Sequence, residues 1–530
     1  METYKITEQI PNVQLQKFRS FHINFDQQNI VENLHKDTEK IYIFASYTHD
    51  IVRWPENLRI LEMKNIREIN FSKELLQLQE LNLSIYSNYD WIKNLTKLEK
   101  LTIYIDSNFN FDIIPKSVKY LSVSFGMSNV KEFEMLPESI EELKISCYDA
   151  NGIKINKNVK RCHLDGKIKN TILHNDIEEL TLEGRTIIDK FPDNLRKLVI
   201  KRDFIDENLD MLPENLEVLE LVNFSFFNEN IDNLPDNLRV LKFSGFSLAN
   251  DPHDYFEHSN FNKPIDHLPM NLQELYLIDL DEFNSSLDNL PEGLRILELS
   301  GLSDFDQNLD YLPESLQVLK LIKLTSFNRP LDNLPDNLET LICSELYEFS
   351  YTLDFLPKGL TKLDIVYLNI DRLNNLPRNL KEIKISVENE IDINNLPMVK
   401  KCVLGFGIYS FDNLPCSITN LKIHITQDDT LDNLPTSVKK MVLVFGYMAD
   451  TIKSLPHGVE ELVLVNCRQI IGTDVVIGEN VKVLKLIRCD VRVCGRLKNV
   501  KKIILIGSKF VDEFKDWDDI DIITQHVQNF

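Results

Sequence analysis

The sequence predicts a repeat solenoid of the leucine-rich-repeat kind, with parallel β-strands on a concave face and a mostly irregular convex side holding little helix. Three observations predict it. A Leu-Pro pair recurs at Pro213, Pro235, Pro269, Pro291, Pro313, Pro335 and Pro357, every 22 residues except for one interval of 34. Each pair opens the same phrase, such as Pro291-Glu292-Gly293-Leu294-Arg295-Ile296-Leu297-Glu298-Leu299. The apolar skeleton L-x-x-L-x-L of that phrase outlasts the prolines in both directions. A fixed period of this length marks stacked units, each a single supersecondary element.

Taken in order, residues 1–14 read as an N-terminal cap. Weak units follow at Phe18-Phe21-Ile23 and Ile41-Ile43, then clearer ones at Leu58-Leu61-Met63, Leu78-Leu81-Leu83, Leu98-Leu101-Ile103 and Val118-Leu121-Val123. The phrase is best formed over residues 200–360, where an insertion at 247–260 accounts for the one long interval. Downstream the period drifts through Pro377, Pro397, Pro415, Pro435 and Pro456, and the last units are Val481-Leu484-Leu486 and Val500-Ile503-Leu505. About 24 units therefore fill residues 15–508 as one elongated repeat domain. Residues 509–530 read as a C-terminal cap in which Phe510, Phe514 and Trp517 lie at helical spacing.

The physical basis is short. Leu-x-Leu is a period-2 strand with both leucines on one face. No single unit can bury those leucines, but parallel strands stacked at about 4.8 Å share a continuous core. The proline fixes φ and forces the residue before it into extended backbone, so each return segment ends at the same place. Asn and Asp just upstream, as in Asp288-Asn289 and Asp332-Asn333, supply side chains for turn backbone groups.

Composition narrows the function. The formal net charge of −23 over 530 residues argues against a nucleic-acid backbone as the main partner. No apolar run is long enough to span a membrane, and the start Met1-Glu2-Thr3-Tyr4-Lys5 lacks a basic-then-apolar leader, so an intracellular, cytoplasmic protein is expected. Of the eight cysteines, Cys162, Cys343 and Cys402 take leucine positions, where a thiol serves as a small apolar group. Cys467 and Cys489 hold one position in consecutive units and are expected as neighbouring buried thiols. Cys489 and Cys494 lack a second pair at zinc spacing, so neither a metal nor a cofactor is expected.

Binding is expected on the strand residues that line the concave surface, opposite the leucine core. The central row, the residue between the paired leucines, reads Glu220, Lys242, Tyr276, Glu298, Lys320, Ile342, Asp364 and Lys384. Glu220 beside Lys242, and Glu298 beside Lys320, are expected as cross-strand ion pairs. Further on, the row reads Val403, Val442, Val463 and Ile504, flanked by Val444, Val465, Ile487 and Ile506. Strands apolar on both faces need a cover on both: the C-terminal tail, a second copy of the chain, or a partner. Lysines gather at strand starts there, including Lys400, Lys401, Lys439, Lys440, Lys482, Lys485, Lys501 and Lys502, broken by Glu460 and Glu461. The candidate protein-binding residues are Tyr276, Glu298, Lys320, Val442, Val463 and Ile504, with Tyr255 and Phe256 of the insertion as a second contact.

The return segment carries its own signature. Phe227-Asn228, Phe261-Asn262, Phe283-Asn284 and Phe327-Asn328 occupy matching places, and two copies are fuller: Phe261-Asn262-Lys263-Pro264-Ile265 and Phe327-Asn328-Arg329-Pro330-Leu331. This resembles the FNIP repeat, a leucine-rich-repeat relative abundant in social amoebae and in giant viruses of amoebae. The resemblance implies a curved solenoid that binds proteins. Some viral relatives add an N-terminal F-box and look like substrate receptors of ubiquitin ligases, whereas here the first unit begins near Phe18, ahead of which no F-box fits. From the residues themselves, the phenylalanines are expected to stack as a spine, and each following Asn to bond backbone of the next coil.

The leading functional expectation is a non-catalytic protein-interaction scaffold. The alternatives are the substrate-recognition subunit of a ubiquitin ligase and a structural protein of a virus particle. Certain bacterial ubiquitin ligases resemble the chain in their LPxxLxxL repeats but carry a large separate catalytic domain. No G-x-S-x-G, H-E-x-x-H or G-x-x-x-x-G-K motif occurs, and an enzyme is not expected.

Overall fold

The computed structural model describes residues 3–6, 20–23, 34–44, 54–66, 75–85, 89–105, 109–127, 133, 136–201, 209–224, 227–245, 259–368, 370, 373–387, 391, 393, 395–405, 411, 413–425, 431, 433–446, 455–468, 470–471, 477–493, 497, 499–512 and 520–525. The chain is a parallel β-solenoid with almost no helix. The helical content of the described residues is a few short 3-10 turns, among them Asp90–Asn94, Phe111–Ile113 and Leu209–Met211.

Two compact units divide the chain. The first holds Met1–Phe227 and Asn233–Leu241, the second Asn228–Asp232 and Lys242–Phe530. In the first, successive strands from Thr3–Ile6 to Val218–Val222 pair in parallel, coil after coil. In the second, the same ladder runs from Glu274–Ile278 to Asp521–Gln525. A smaller parallel sheet of Ile470–Ile471, Asp490–Val493 and Lys509–Asp512 accompanies the last coils.

The 22-residue coil that begins at Pro291 shows why the phrase folds this way. Pro291 C=O accepts the Leu294 N–H at 3.0 Å, closing a turn. Gln273 C=O of the preceding coil then accepts both Arg295 N–H (2.8 Å) and Ile296 N–H (3.1 Å), which starts the strand in register. Leu294, Leu297, Leu299, Leu302, Phe305 and Leu309 all point inward and are buried. Between them Ile296, Glu298 and Ser300 face out, half-buried. One coil therefore presents about six apolar side chains to its neighbours, each worth about 1.5–3 kcal/mol when fully buried.

Each strand of this stretch ends on a residue with left-handed backbone. Asp279, Gly301, Lys323, Glu345 and Tyr367 have φ between 51° and 67°. Their N–H groups donate onward to the next strand, as Gly301 N–H does to Ile322 C=O at 2.9 Å. That bond compensates for a conformation that costs a non-glycine residue about 1–2 kcal/mol.

The phenylalanines form the expected spine. Phe261, Phe283, Phe305, Phe327 and Phe349 are fully buried and stack with centroids 5.9, 6.2, 6.1 and 6.3 Å apart, their planes within 12° of parallel.

Both ends differ from the sequence reading in detail. Thr3–Ile6 is a strand of the ladder, paired with Ser20–Ile23. Phe510 lies in the strand Lys509–Asp512 rather than a helix, because an aromatic and a β-branched residue in sequence suit the open edge beside Asp490–Val493. Phe514 and Trp517 lie outside the described residues. Asp521–Gln525 extends the main ladder alongside Lys502–Ile506 instead of lying across its face.

Candidate protein-binding face

Alternation along each strand sends the paired leucines inward and leaves three outward rows per coil. In the second unit the central row is fixed by register: Tyr276, Glu298, Lys320, Ile342, Asp364 and Lys384 are cross-strand neighbours in that order. Lys320 Nζ lies 2.8 Å from Glu298 Oε2, with the Glu298 side chain largely covered. The Tyr276 hydroxyl donates to Glu274 Oε2 at 2.7 Å, and burial together with that carboxylate raises the Tyr276 pKa. These groups satisfy one another. The ion pair of Glu220, in the first unit, is made with Lys197 at 2.6 Å rather than with Lys242.

Register corrects the reading of the C-terminal rows. After Lys384 the central row continues Val403, Lys422, Val442, Val463, Lys485, Ile504 and Ile523. Val442 and Val463 are direct neighbours, and Val463 is 5% exposed. Ile504 is not on the strand next to Val463, because Lys485 stands between them. Lys485 thus belongs to the centre of the face and not to a strand start, since the skeleton Val481-Leu484-Leu486 places it between the paired leucines. Lys422 was equally legible from Ile418-Leu421-Ile423 and was missed. The flanking row Val444, Val465, Ile487 and Ile506 is unbroken over four strands.

Most lysines at the strand starts are neutralised. Glu460 lies 3.3 Å from Lys439 and 2.7 Å from Lys482, and hydrogen bonds from both lower its pKa. Lys440 meets Glu461 at 2.6 Å and Lys401 meets Glu382 at 2.9 Å. Lys422 and Lys485 have no carboxylate partner among the described residues. His424, on the strand of Lys422, has its pKa lowered by burial and by Lys422 and Lys384. Tyr255 and Phe256 lie outside the described residues.

The first unit presents a different face. His163 Nε2 lies 3.2 Å from Glu183 Oε2, but burial and Lys144 still lower the His163 pKa. Along its strand-start edge runs an open groove in which Glu141, Lys160, Glu178, Arg196, Glu217 and Arg239 alternate in sign. Lys160–Glu178 (3.3 Å) and Arg196–Glu217 (3.4 Å) close it upon itself. Exposed mixed pairs of this kind contribute little.

No disulfide joins the seven cysteines among the described residues. Cys162, Cys343, Cys402, Cys467 and Cys489 are buried, and Cys416 is exposed. Burial pushes the Cys343 and Cys402 thiols up to about 12. No group of three or more His, Cys, Asp or Glu side chains among the described residues is arranged to hold a metal. No helix among them is long and apolar enough to cross a membrane.

No protein-family description matches the chain. No curated protein matches its sequence. Among solved structures, the chain is similar to CroV588, a giant-virus protein described as a novel circular leucine-rich-repeat structure, with a TM-score of 0.60, 21% identity, and coverage of 96% of this chain and 89% of that one. YopM from Yersinia enterocolitica aligns with a TM-score of 0.41 at 16% identity, over 89% of this chain and 88% of that one. The fold is leucine-rich-repeat-like.

Proposed function

We propose that the protein is a non-catalytic scaffold that binds a protein partner through the outward strand face of its second unit. The observation that carries this reading is the unbroken apolar set on adjacent strands: Val442 beside Val463 in the central row, and Val444, Val465, Ile487 and Ile506 in the flanking row. An outward β-face of solvated strands is ordinarily polar. Half-buried apolar side chains concentrated on one stretch of it, around the buried Val463, mark an interaction surface. The stacked Phe-Asn return segment supports an FNIP-type repeat, and buried cysteines with no disulfide among the described residues suit a reducing, intracellular setting.

A photo-crosslinking residue placed at Val463, with Tyr311 on the turn edge as the control, tests the reading in cells. Covalent capture of one protein from Val463 and not from Tyr311 is expected. Equal capture from both positions, or none from Val463, would remove the face from consideration.

A further inference from the structure

We propose that the apolar face of the second unit takes an extended acidic segment whose carboxylates meet Lys422 and Lys485 while an apolar side chain between them packs on the half-buried Val442 beside the buried Val463. This deepens the proposed function and rests on that face being the contact surface.

The argument begins with what surrounds the two lysines. The neighbours of Lys422 are Val403 and Val442 across the sheet and Asn420 and His424 along its own strand. Those of Lys485 are Val463 and Ile504 across, and Val483 and Ile487 along the strand. No carboxylate occupies any of these eight places. At the strand starts of the same stretch lysines are matched with acids: Lys401 with Glu382, Lys440 with Glu461, Lys482 with Glu460. Lys422 and Lys485 are thus the ammonium groups left over at the centre of the patch. Their alkyl stems can lie along the valines and isoleucines while the charges stay at the surface.

The charge of the patch is also opposite to that of the molecule. The chain carries a formal −23, yet after Lys384 the central row holds Lys422 and Lys485 and no carboxylate. Burial lowers the His424 pKa first, and Lys422 and Lys384 both add to that lowering from the same face. A positive apolar patch on an acidic protein selects an acidic apolar partner and disfavours self-association through like surfaces elsewhere.

Spacing gives the segment its pattern. Lys422 and Lys485 are three strands apart, because the strands of Val442 and Val463 intervene and then Lys485 follows. Three steps at about 4.8 Å make about 14 Å. An extended chain advances about 3.3 Å per residue, so residues i and i+4 are about 13 Å apart and lie on one side of it. The side chain at i+2 faces the same way and falls over Val442 and Val463. The pattern is acidic-x-apolar-x-acidic. A nucleic acid would also meet lysines, but single-stranded binding uses aromatic or arginine stacking platforms. The centre of this patch offers valine and isoleucine instead.

The test uses the full chain and a fluorescein-labelled peptide Gly-Ser-Glu-Thr-Ile-Thr-Glu-Ser-Gly, read by fluorescence anisotropy. Its companions are the same peptide with Gln for Glu, the same with Lys for Glu, and an oligouridylate. Binding of the acidic peptide is expected to weaken at least about tenfold in Lys422→Glu/Lys485→Glu, and to fall with salt. The arginine pair Lys422→Arg/Lys485→Arg retains it, which separates lost charge from lost folding, and the Lys peptide regains binding to the double Glu variant. Absence of binding to the intact chain, equal binding by the Gln peptide, or insensitivity to the double Glu variant overturns the proposal. So does tighter binding of oligouridylate with the same lysine dependence, which reassigns the patch to nucleic acid. If the peptide fails while Val463 still crosslinks a partner, the acidic specificity falls and the face stands. If both fail, the face falls as well.

Discussion

Asn262 and Asn284 are joined by a hydrogen bond that repeats along the stack: the Asn284 backbone N–H donates to Asn262 Oδ1 at 2.9 Å. The next coils reproduce it, with Asp306 N–H on Asn284 Oδ1 and Asn328 N–H on Asp306 Oδ1, both at 3.0 Å, and Ser350 N–H on Asn328 Oδ1 at 3.1 Å. Each acceptor follows a stacked phenylalanine by one residue. Ring and side-chain oxygen therefore hold the return segment together, the first by filling the core and the second by taking a donor that no strand ladder reaches.

The two parts of this unit should be separable by mutation. Phe305→Ala empties a fully buried ring position and is expected to cost about 3–5 kcal/mol. Asn284→Ala leaves the Asp306 N–H half-exposed without its partner and is expected to cost about 1 kcal/mol. Hydrogen exchange across residues 300–330 reads both. Broad loss of protection in the first variant and loss confined to the Asp306 turn in the second is the expected contrast. Equal effects would contradict the division of roles.

In the first unit, Gly166 stands opposite a bulge where the register shifts between Ser146 and Asp149. Its φ is +132°, and a Cβ there would lie 1.8 Å from Cys147 O. Gly152 has φ +74° with nothing within 4 Å of the added carbon. Gly152→Ala should therefore cost about 1–2 kcal/mol of backbone strain, whereas Gly166→Ala should exceed about 4 kcal/mol because backbone must move as well. Urea unfolding of the two variants compares them. Similar midpoints would show that the bulge gives way freely.

Most of the ladder was legible because its cause is local. Leu294, Leu297 and Leu299 can be buried together only by strands at one register, and that register then places Glu298 beside Lys320. The Phe-Asn return was legible for the same reason, a side chain repeated at one place in each coil. The strand-ending left-handed residues were not. Lys323, Glu345 and Tyr367 hold that place as well as Gly301 does, so no glycine or asparagine column announces it. The identity of the binding rows was legible only where the leucine skeleton was followed strictly. Lys422 and Lys485 fall between paired apolar residues as surely as Val442 does, but Lys485 reads as one of the strand-start lysines and Lys422 stands outside that cluster. The strand Asp521–Gln525 escaped notice because Thr524 stands where a second leucine would.

Thiol reactivity follows from the packing. Cys343 and Cys402 sit at leucine positions and their pKa values are raised by burial to about 12, so at pH about 8 almost none is thiolate. Cys416 is exposed. Brief iodoacetamide treatment of the native protein, mapped by mass spectrometry, should label Cys416 and spare Cys343, Cys402 and Cys162, and denaturant should equalise them. Early labelling of Cys343 would mean that the second unit opens locally on that timescale.

The last prediction concerns His424. Its folded pKa is lowered by burial and by Lys422 and Lys384, while the unfolded value is near about 6.5. Above about 6.5 both states hold a neutral imidazole, and the folded protein keeps its full stability from this group. As pH falls below that value the unfolded state takes up the proton first. Stability is then lost until the pH has passed the folded pKa. Lys422→Gln removes one of the two charges and should raise the folded value back toward the ordinary one, shrinking the loss. His424→Asn should abolish this share of it. The imidazole titration followed by NMR in the intact chain and in Lys422→Gln reads the shift directly, and urea midpoints at pH about 7.5 and 5.5 read its thermodynamic counterpart. An imidazole that titrates at or above the ordinary value, or one indifferent to Lys422→Gln, would show that the lysines of this face are screened from one another. The positive patch would then be too weak to choose an acidic partner.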